Sequence, residues 1–137
     1  AAWIKPAGQE GMILGHGGET WGYALHLVGG KAAFSTRVSD KLTTVVDDEK
    51  LPEGWVHIAG RLGEKGKMTV YVNGKPVASG KAPGLLVEDP HDNLQIGMDR
   101  GSSILGEGEQ AFAGLIDRIR LVYGKLSDDA IAKEAGG

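Results

Sequence analysis

At 137 residues the chain is long enough for one ordinary hydrophobic core and too short for two. Its hydrophobic share is 41%, yet no apolar run approaches the roughly 18 to 20 residues of a membrane-spanning helix, so such a segment is excluded. Lys and Arg number 15 against 18 Asp and Glu, a net charge of -3 without the massed basic face that nucleic-acid phosphates require. Cysteine is absent, which removes disulfides, iron–sulfur clusters, thiolate zinc and a Cys nucleophile.

Glycine is the outlier, at 23 residues, more than twice an average usage of roughly 7%. The glycines fall between short runs rich in Val, Ile, Leu and Thr, so they read as turns between strands. Ala1 to Pro6 is a first strand stopped by a proline that cannot donate to a ladder. Gly11 to His16 is a second. Tyr23, Leu25 and Leu27 alternate with Ala24, His26 and Val28, and after Gly29-Gly30 the alternation resumes over Lys31 to Val38, which predicts a hairpin. Leu42 to Val46 precedes the acidic Asp47 to Glu49. Trp55 to Leu62 sets Val56, Ile58, Gly60 and Leu62 on the face better suited to a core. Met68 to Val72 ends at Asn73-Gly74, the strongest short hairpin signal, and Lys75 to Lys81 returns. Leu94 to Gly97 is a brief strand.

Ala111 to Tyr123 is the longest β-prone run, and a bulge between Ile116 and Ile119 would let both point inward. Ser127 can cap a short helix running to about Ala135, with Asp128 and Asp129 in its first turn. Ile131 is nearly its only apolar residue, which predicts a terminal cover rather than a core element. About ten short strands in one chain close into a barrel or stack as two sheets; strand faces apolar on one side and mixed on the other favour an all-β, two-sheet antiparallel sandwich over residues 1–137.

The succession AWIKP, GYALHLVGGKAAFS, GWVHIAGRL, MTVYVNGKPVASG, LQIG and FAGLIDRIRLVYGKLSDDAI resembles the laminin G-like jelly-roll domains of the concanavalin A-like lectin and glucanase superfamily. Trp55 and His57 match its Trp-x-His pair, Asn73-Gly74 its hairpin, and Gly114, Ile116 and Asp117 its Gly-x-Ile-Asp segment. These are framework positions, so the resemblance implies a jelly roll more firmly than a function. Such domains begin one or two strands earlier than Ala1. The resemblance therefore implies a domain short of an N-terminal strand, which a separate chain of the parent protein, or edge pairing with a copy of itself, would supply. It also implies a secreted or cell-surface bacterial setting, with a neighbouring glycosidase, sulfatase or sialidase domain as partner.

Hydrolysis of a glycan needs paired carboxylates, which the related glucanases carry as Glu-x-Asp-x-x-Glu; that motif is absent. Glu107 and Glu109 lie in Gly-Glu-Gly-Glu, the composition of a solvated loop. Gly-x-Ser-x-Gly, a Walker loop and His-Glu-x-x-His are absent as well, so the expectation is no enzyme. None of His16, His26, His57 and His91 is spaced as a zinc pair; His57 is expected to hydrogen-bond within or beside the sheet. His16 ends a strand in the loop His16-Gly17-Gly18-Glu19-Thr20-Trp21, where an aromatic could stack on a sugar, with Asp99 and Arg100 as polar complement. The competing reading, Trp21 packed over a sheet edge, carries slightly more weight, and Asp99-Arg100 reads equally well as a turn with an internal ion pair. Calcium, the superfamily's other guest, would fall to Asp89, Asp92 and Asn93, flanked by Glu88 and Asp99, but no ordered Asp-x-Asp-x-Asp-Gly loop is present and hydration is the simpler fate. The function expected is thus a carbohydrate-binding or adhesion module, with a structural accessory domain as the alternative.

Overall fold

In the computed structural model, which describes residues 1–100, 103–106, 111–124 and 126–136, ten strands and one α-helix follow in order, with a short 3-10 turn at Glu64–Gly66. They are β1 (Ala2–Pro6), β2 (Gly11–Gly17), β3 (Gly22–Val28), β4 (Lys31–Val38), β5 (Lys41–Val46), β6 (Val56–Leu62), β7 (Lys67–Val72), β8 (Lys75–Lys81), β9 (Gln95–Ile96), β10 (Gly114–Asp117) and α1 (Asp128–Gly136). One antiparallel sheet runs β10-β1-β6-β7-β8 and the other β5-β4-β3-β2-β9, and the two stack face to face. This is the two-sheet sandwich that the alternating pattern predicts.

Turn chemistry sets the registers. Gly29 and Gly30 between β3 and β4, and Asn73 and Gly74 between β7 and β8, all have positive φ, as a two-residue hairpin of the right twist requires. Ser39 and Asp40 do the same between β4 and β5, at φ 50° and 68°, without a glycine to signal it. Each hairpin keeps the inward residues in phase, so Leu25 faces across to Phe34 and Phe34 to Val45. The inner faces then meet: Ile4, Ile58, Met68 and Val70 of one sheet and Leu14, Leu25, Leu27 and Phe34 of the other form one buried cluster. Val56 and Ile58 lie in that core as predicted, and a Cβ on Gly60 would stand 2.3 Å from the Phe34 ring.

The outer face of the β6–β7 region is covered by α1. Ile131 packs on Ala59 and Tyr71. Asp128 Oδ1 accepts hydrogen bonds from Arg61 (2.6 Å) and from the Tyr71 hydroxyl (2.8 Å), and Ser127 Oγ accepts the Ala130 N–H at 3.2 Å as a cap. Hydrogen bonds from Tyr71 and Arg61 hold the Asp128 carboxyl below the ordinary carboxylate range, while burial, then Asp128, pushes Tyr71 up to about 12.

Three expectations change. The imidazole of His57 makes no hydrogen bond: it is buried edge-on to Trp3 with centroids 5.5 Å apart, and Glu134 lies 3.8 Å away. Its backbone is used instead: the N–H donates to Asn73 Oδ1 at 3.0 Å and the carbonyl accepts the Asn73 N–H at 2.7 Å. The long run from Ala111 is a strand only over Gly114–Asp117, because Arg118 at φ 48° interrupts it. The predicted bulge is this interruption: Trp3 pairs with Asp117, but Ala1 exchanges two hydrogen bonds with Arg120, a shift of one residue that leaves Ile116 and Ile119 both packed on the core. Leu94 to Gly97 contracts to the two residues of β9.

Candidate functional site

The residues expected to form a site at the β2–β3 connection lie on three separate segments. Gly17, at φ 96°, turns so tightly that a Cβ would lie 2.2 Å from the Trp21 carbonyl and 2.7 Å from Pro90, which crosses above it. A neighbouring bond from the Asp40 N–H to the Thr20 carbonyl, 2.9 Å, ties the loop to the β4–β5 turn. Trp21, half-buried, rests against the core cluster.

His16 points between the sheets, where Nδ1 and the Tyr23 hydroxyl are hydrogen-bonded at 2.8 Å and the rings meet edge to face. Burial, then Tyr123 beside it, raises the Tyr23 phenol. Asp99 lies on the opposite face of β2, above Gly15, whose Cβ would be 3.3 Å from its Oδ2. Its partner is Gln95, not Arg100: Gln95 Nε2 donates to Asp99 Oδ1 (3.0 Å) and to the Arg100 carbonyl (2.7 Å), and the Arg100 N–H donates back to Gln95 Oε1 (2.9 Å). Burial raises the Asp99 carboxyl, with the Ser103 side chain opposing. The structure thus brings His16, Trp21, Pro90 and Asp99 around three consecutive residues, Gly15 to Gly17, but on two faces of the strand. Gly101, Ser102, Glu107 and Glu109 lie outside the described residues.

Among the described residues no three His, Asp or Glu side chains are grouped to hold a metal ion.

Sequence reasoning missed the polar row across the outer face of the second sheet. His26 Nε2 is hydrogen-bonded to Ser35 Oγ at 2.8 Å, and Ser35 Oγ to Thr44 Oγ1 at 2.7 Å. Burial lowers His26 to about 4, so the imidazole is neutral at pH 7. Beside the row Ile104 is buried on Met12 and Ala24, held by Arg37, whose Nε donates to the Ile104 carbonyl and Nη1 to the Asp40 carbonyl, each at 2.7 Å. The period-two pattern placed His26 opposite Leu25 and Leu27 but carried no signal of the loop above it.

A sandwich of two five-stranded antiparallel sheets defines the class. The laminin G model of the Concanavalin A-like lectin/glucanases superfamily matches residues 1–132, and the chain belongs to that superfamily. No curated protein matches it. Among solved structures, the Ruminococcus gnavus IT-sialidase CBM40 bound to α2,3-sialyllactose is similar at a TM-score of 0.78 and 18% identity, over 98% of this chain and 80% of that one. Mouse laminin α1 domains LG4-5 are similar at 0.69 and 15% identity, over 84% of this chain and 32% of that one. An S-layer domain-containing protein from Clostridium thermocellum is similar at 0.52 and 24% identity, over 98% and 67%. These likenesses establish the shared fold. Among the described residues no helix is long and apolar enough to cross a membrane.

Proposed function

We propose that the domain is a non-catalytic carbohydrate-binding or adhesion module of a larger secreted or surface-exposed bacterial protein. The observation that carries this reading is the seating of Pro90, at the end of the Glu88–Pro90 segment, on the Gly17 turn next to the half-buried aromatic Trp21. A sugar presents an apolar C–H face and a rim of hydroxyls, and an aromatic plane with carboxylate acceptors beside it matches both. The sialidase CBM40 and laminin relatives support the kind of function, since their fold is the same. Glu88 and Asp89, on the segment that carries Pro90 to the Gly17 turn, disfavour an anionic sugar there; a neutral oligosaccharide is the expected ligand.

A glycan array carrying neutral and sialylated oligosaccharides tests this. Wild-type protein should bind neutral members, and Trp21→Ala should lose that binding while the protein stays folded by circular dichroism. Because Trp21 also touches the core, its removal costs about 1–2 kcal/mol, less than the ~3–5 kcal/mol of a fully buried aromatic. A protein that binds no glycan would return the domain to the second reading, an accessory domain that packs on a catalytic neighbour.

A further inference from the structure

Beside α1 runs a groove of about 720 Å³, lined by Trp3 and Arg118 to Arg120 and, from one face of the helix, by Ala130, Lys133 and Glu134. Three cations, Arg118, Arg120 and Lys133, meet a single carboxylate there, in a chain whose net charge is -3. Their donors are only partly used. Arg118 stands at φ 48°, a left-handed conformation unusual for a residue other than glycine, with its guanidinium 5.4 Å over the Trp3 ring and Nε donating to Asp117 Oδ2 at 3.2 Å. Arg120 Nη1 donates to Glu134 Oε2 at 2.9 Å, and Lys133 is exposed and in no ion pair among the described residues. Next to Trp3 the imidazole of His57, 1% exposed, has neither ring nitrogen hydrogen-bonded and lies 3.8 Å from Glu134 Oε1. A buried polar group left without a partner calls for an explanation. Glu134 supplies one: Arg120 holds one of its oxygens, and the other stops just short of His57.

We propose that this groove is an oxyanion site, in which Arg118, Arg120 and Lys133 take a carboxylate or sulfate group and His57 then succeeds Arg120 as the partner of Glu134. A guanidinium fork matches an anion with two or more acceptor oxygens, and Asp117 and Glu134 leave several N–H donors of both arginines unused. When Arg120 turns to the ligand, Glu134 loses its cation. The replacement within reach is His57, which must take up a proton to serve. Burial holds the imidazole below its ordinary range; Glu134 pulls the other way, while the Ala1 amino group and Arg118, the other charged groups facing it, act with burial. An anion beside Arg118 offsets that cation and frees Glu134, so both changes favour the imidazolium. Anion binding and proton uptake at His57 are therefore linked, each strengthening the other. The groove belongs to the β10-β1-β6-β7-β8 sheet, whereas Trp21 follows β2 of the other sheet. Only the carrier of the oxyanion, a saccharide rather than a free ion, rests on the carbohydrate-binding reading above.

Nuclear magnetic resonance tests this on the 137-residue chain, titrated with sodium sulfate, glucuronate or glucose while chloride holds the ionic strength constant. Sulfate and glucuronate should move the Trp3 indole N–H and the Lys133 amide along saturable curves, and glucose should not. Arg118→Gln and Lys133→Gln should each weaken binding about two- to fivefold, the scale of an exposed charge contact. At saturation the His57 imidazole pKa should rise by about half a unit or more, and Glu134→Gln should bind the anion without that rise. Saturation by sulfate but not by glucuronate would support the site and assign it to a free ion. Shifts that do not saturate, shifts that chloride alone reproduces, or a His57 pKa unmoved with ligand bound overturn the proposal. A glycan array on which the Trp21 site binds nothing leaves these results standing, so the two readings fail separately.

Discussion

Phe34 of one sheet lies flat against the backbone of Gly60 in the other, with a hypothetical Gly60 Cβ only 2.3 Å from its ring. The position admits hydrogen and nothing larger unless the ring is displaced. Gly60→Ala should therefore destabilise the fold by about 1–3 kcal/mol through overpacking. Equilibrium urea denaturation measures this; a second-site Phe34→Leu should restore part of the loss. An unchanged midpoint for Gly60→Ala would mean the sheets separate freely at this point.

His26 makes stability depend on pH. Its folded pKa of about 4 is depressed from an ordinary 6.5, so the folded state binds fewer protons than the unfolded chain between those values. The stability contributed by the neutral imidazole is full above about pH 6.5 and is lost as pH falls towards 4. The loss amounts to roughly 3 kcal/mol by the equivalence of one pKa unit to ~1.4 kcal/mol. His26→Gln, which can keep the bond to Ser35 without acquiring charge, should flatten that slope. Urea denaturation of both proteins at pH 7.5 and 4.5 checks it, and parallel pH profiles would remove His26 as the cause.

The helix is fastened by Tyr71 and Ile131. Tyr71→Phe deletes the hydroxyl that donates to Asp128 and should cost about 1 kcal/mol, while Ile131→Ala removes its only buried side chain and should cost about 2–3 kcal/mol. Limited proteolysis should cut α1 first in both variants. Cleavage rates equal to wild type would show that the helix is held elsewhere.

Arg37 is the clasp between the segment holding Ile104 and the β4–β5 turn, one guanidinium donating to two carbonyls. Lysine cannot span both acceptors with fixed geometry. Arg37→Lys should raise hydrogen exchange in residues 103–106 while leaving β6 and β7 unchanged, and Ile104→Ala should do the same and lower overall stability by about 2–4 kcal/mol. Unaltered exchange in Arg37→Lys would assign the loop's position to Ile104 alone.

The alternation of Tyr23 to Val38, the Asn73-Gly74 turn and the core face of β6 were legible in the sequence because each is a local rule: a period of two, or a φ that few residues adopt. The bulge near Arg118 was legible for the same reason, since two isoleucines three apart cannot both point inward without it. Local rules say which side of a strand is apolar and stop there. They do not say that Tyr71, on the outward side, is buried by a helix more than fifty residues away, that Asp99 stands across β2 from His16 although both were assigned to one site, or that Gln95 rather than Arg100 is Asp99's partner. They also left His57 with an expected hydrogen bond that its packing against Trp3 does not provide. Those relationships depend on which strands become neighbours and which loops fold over them. That is decided by the closing of two sheets around one core, where contacts form between residues far apart in the chain.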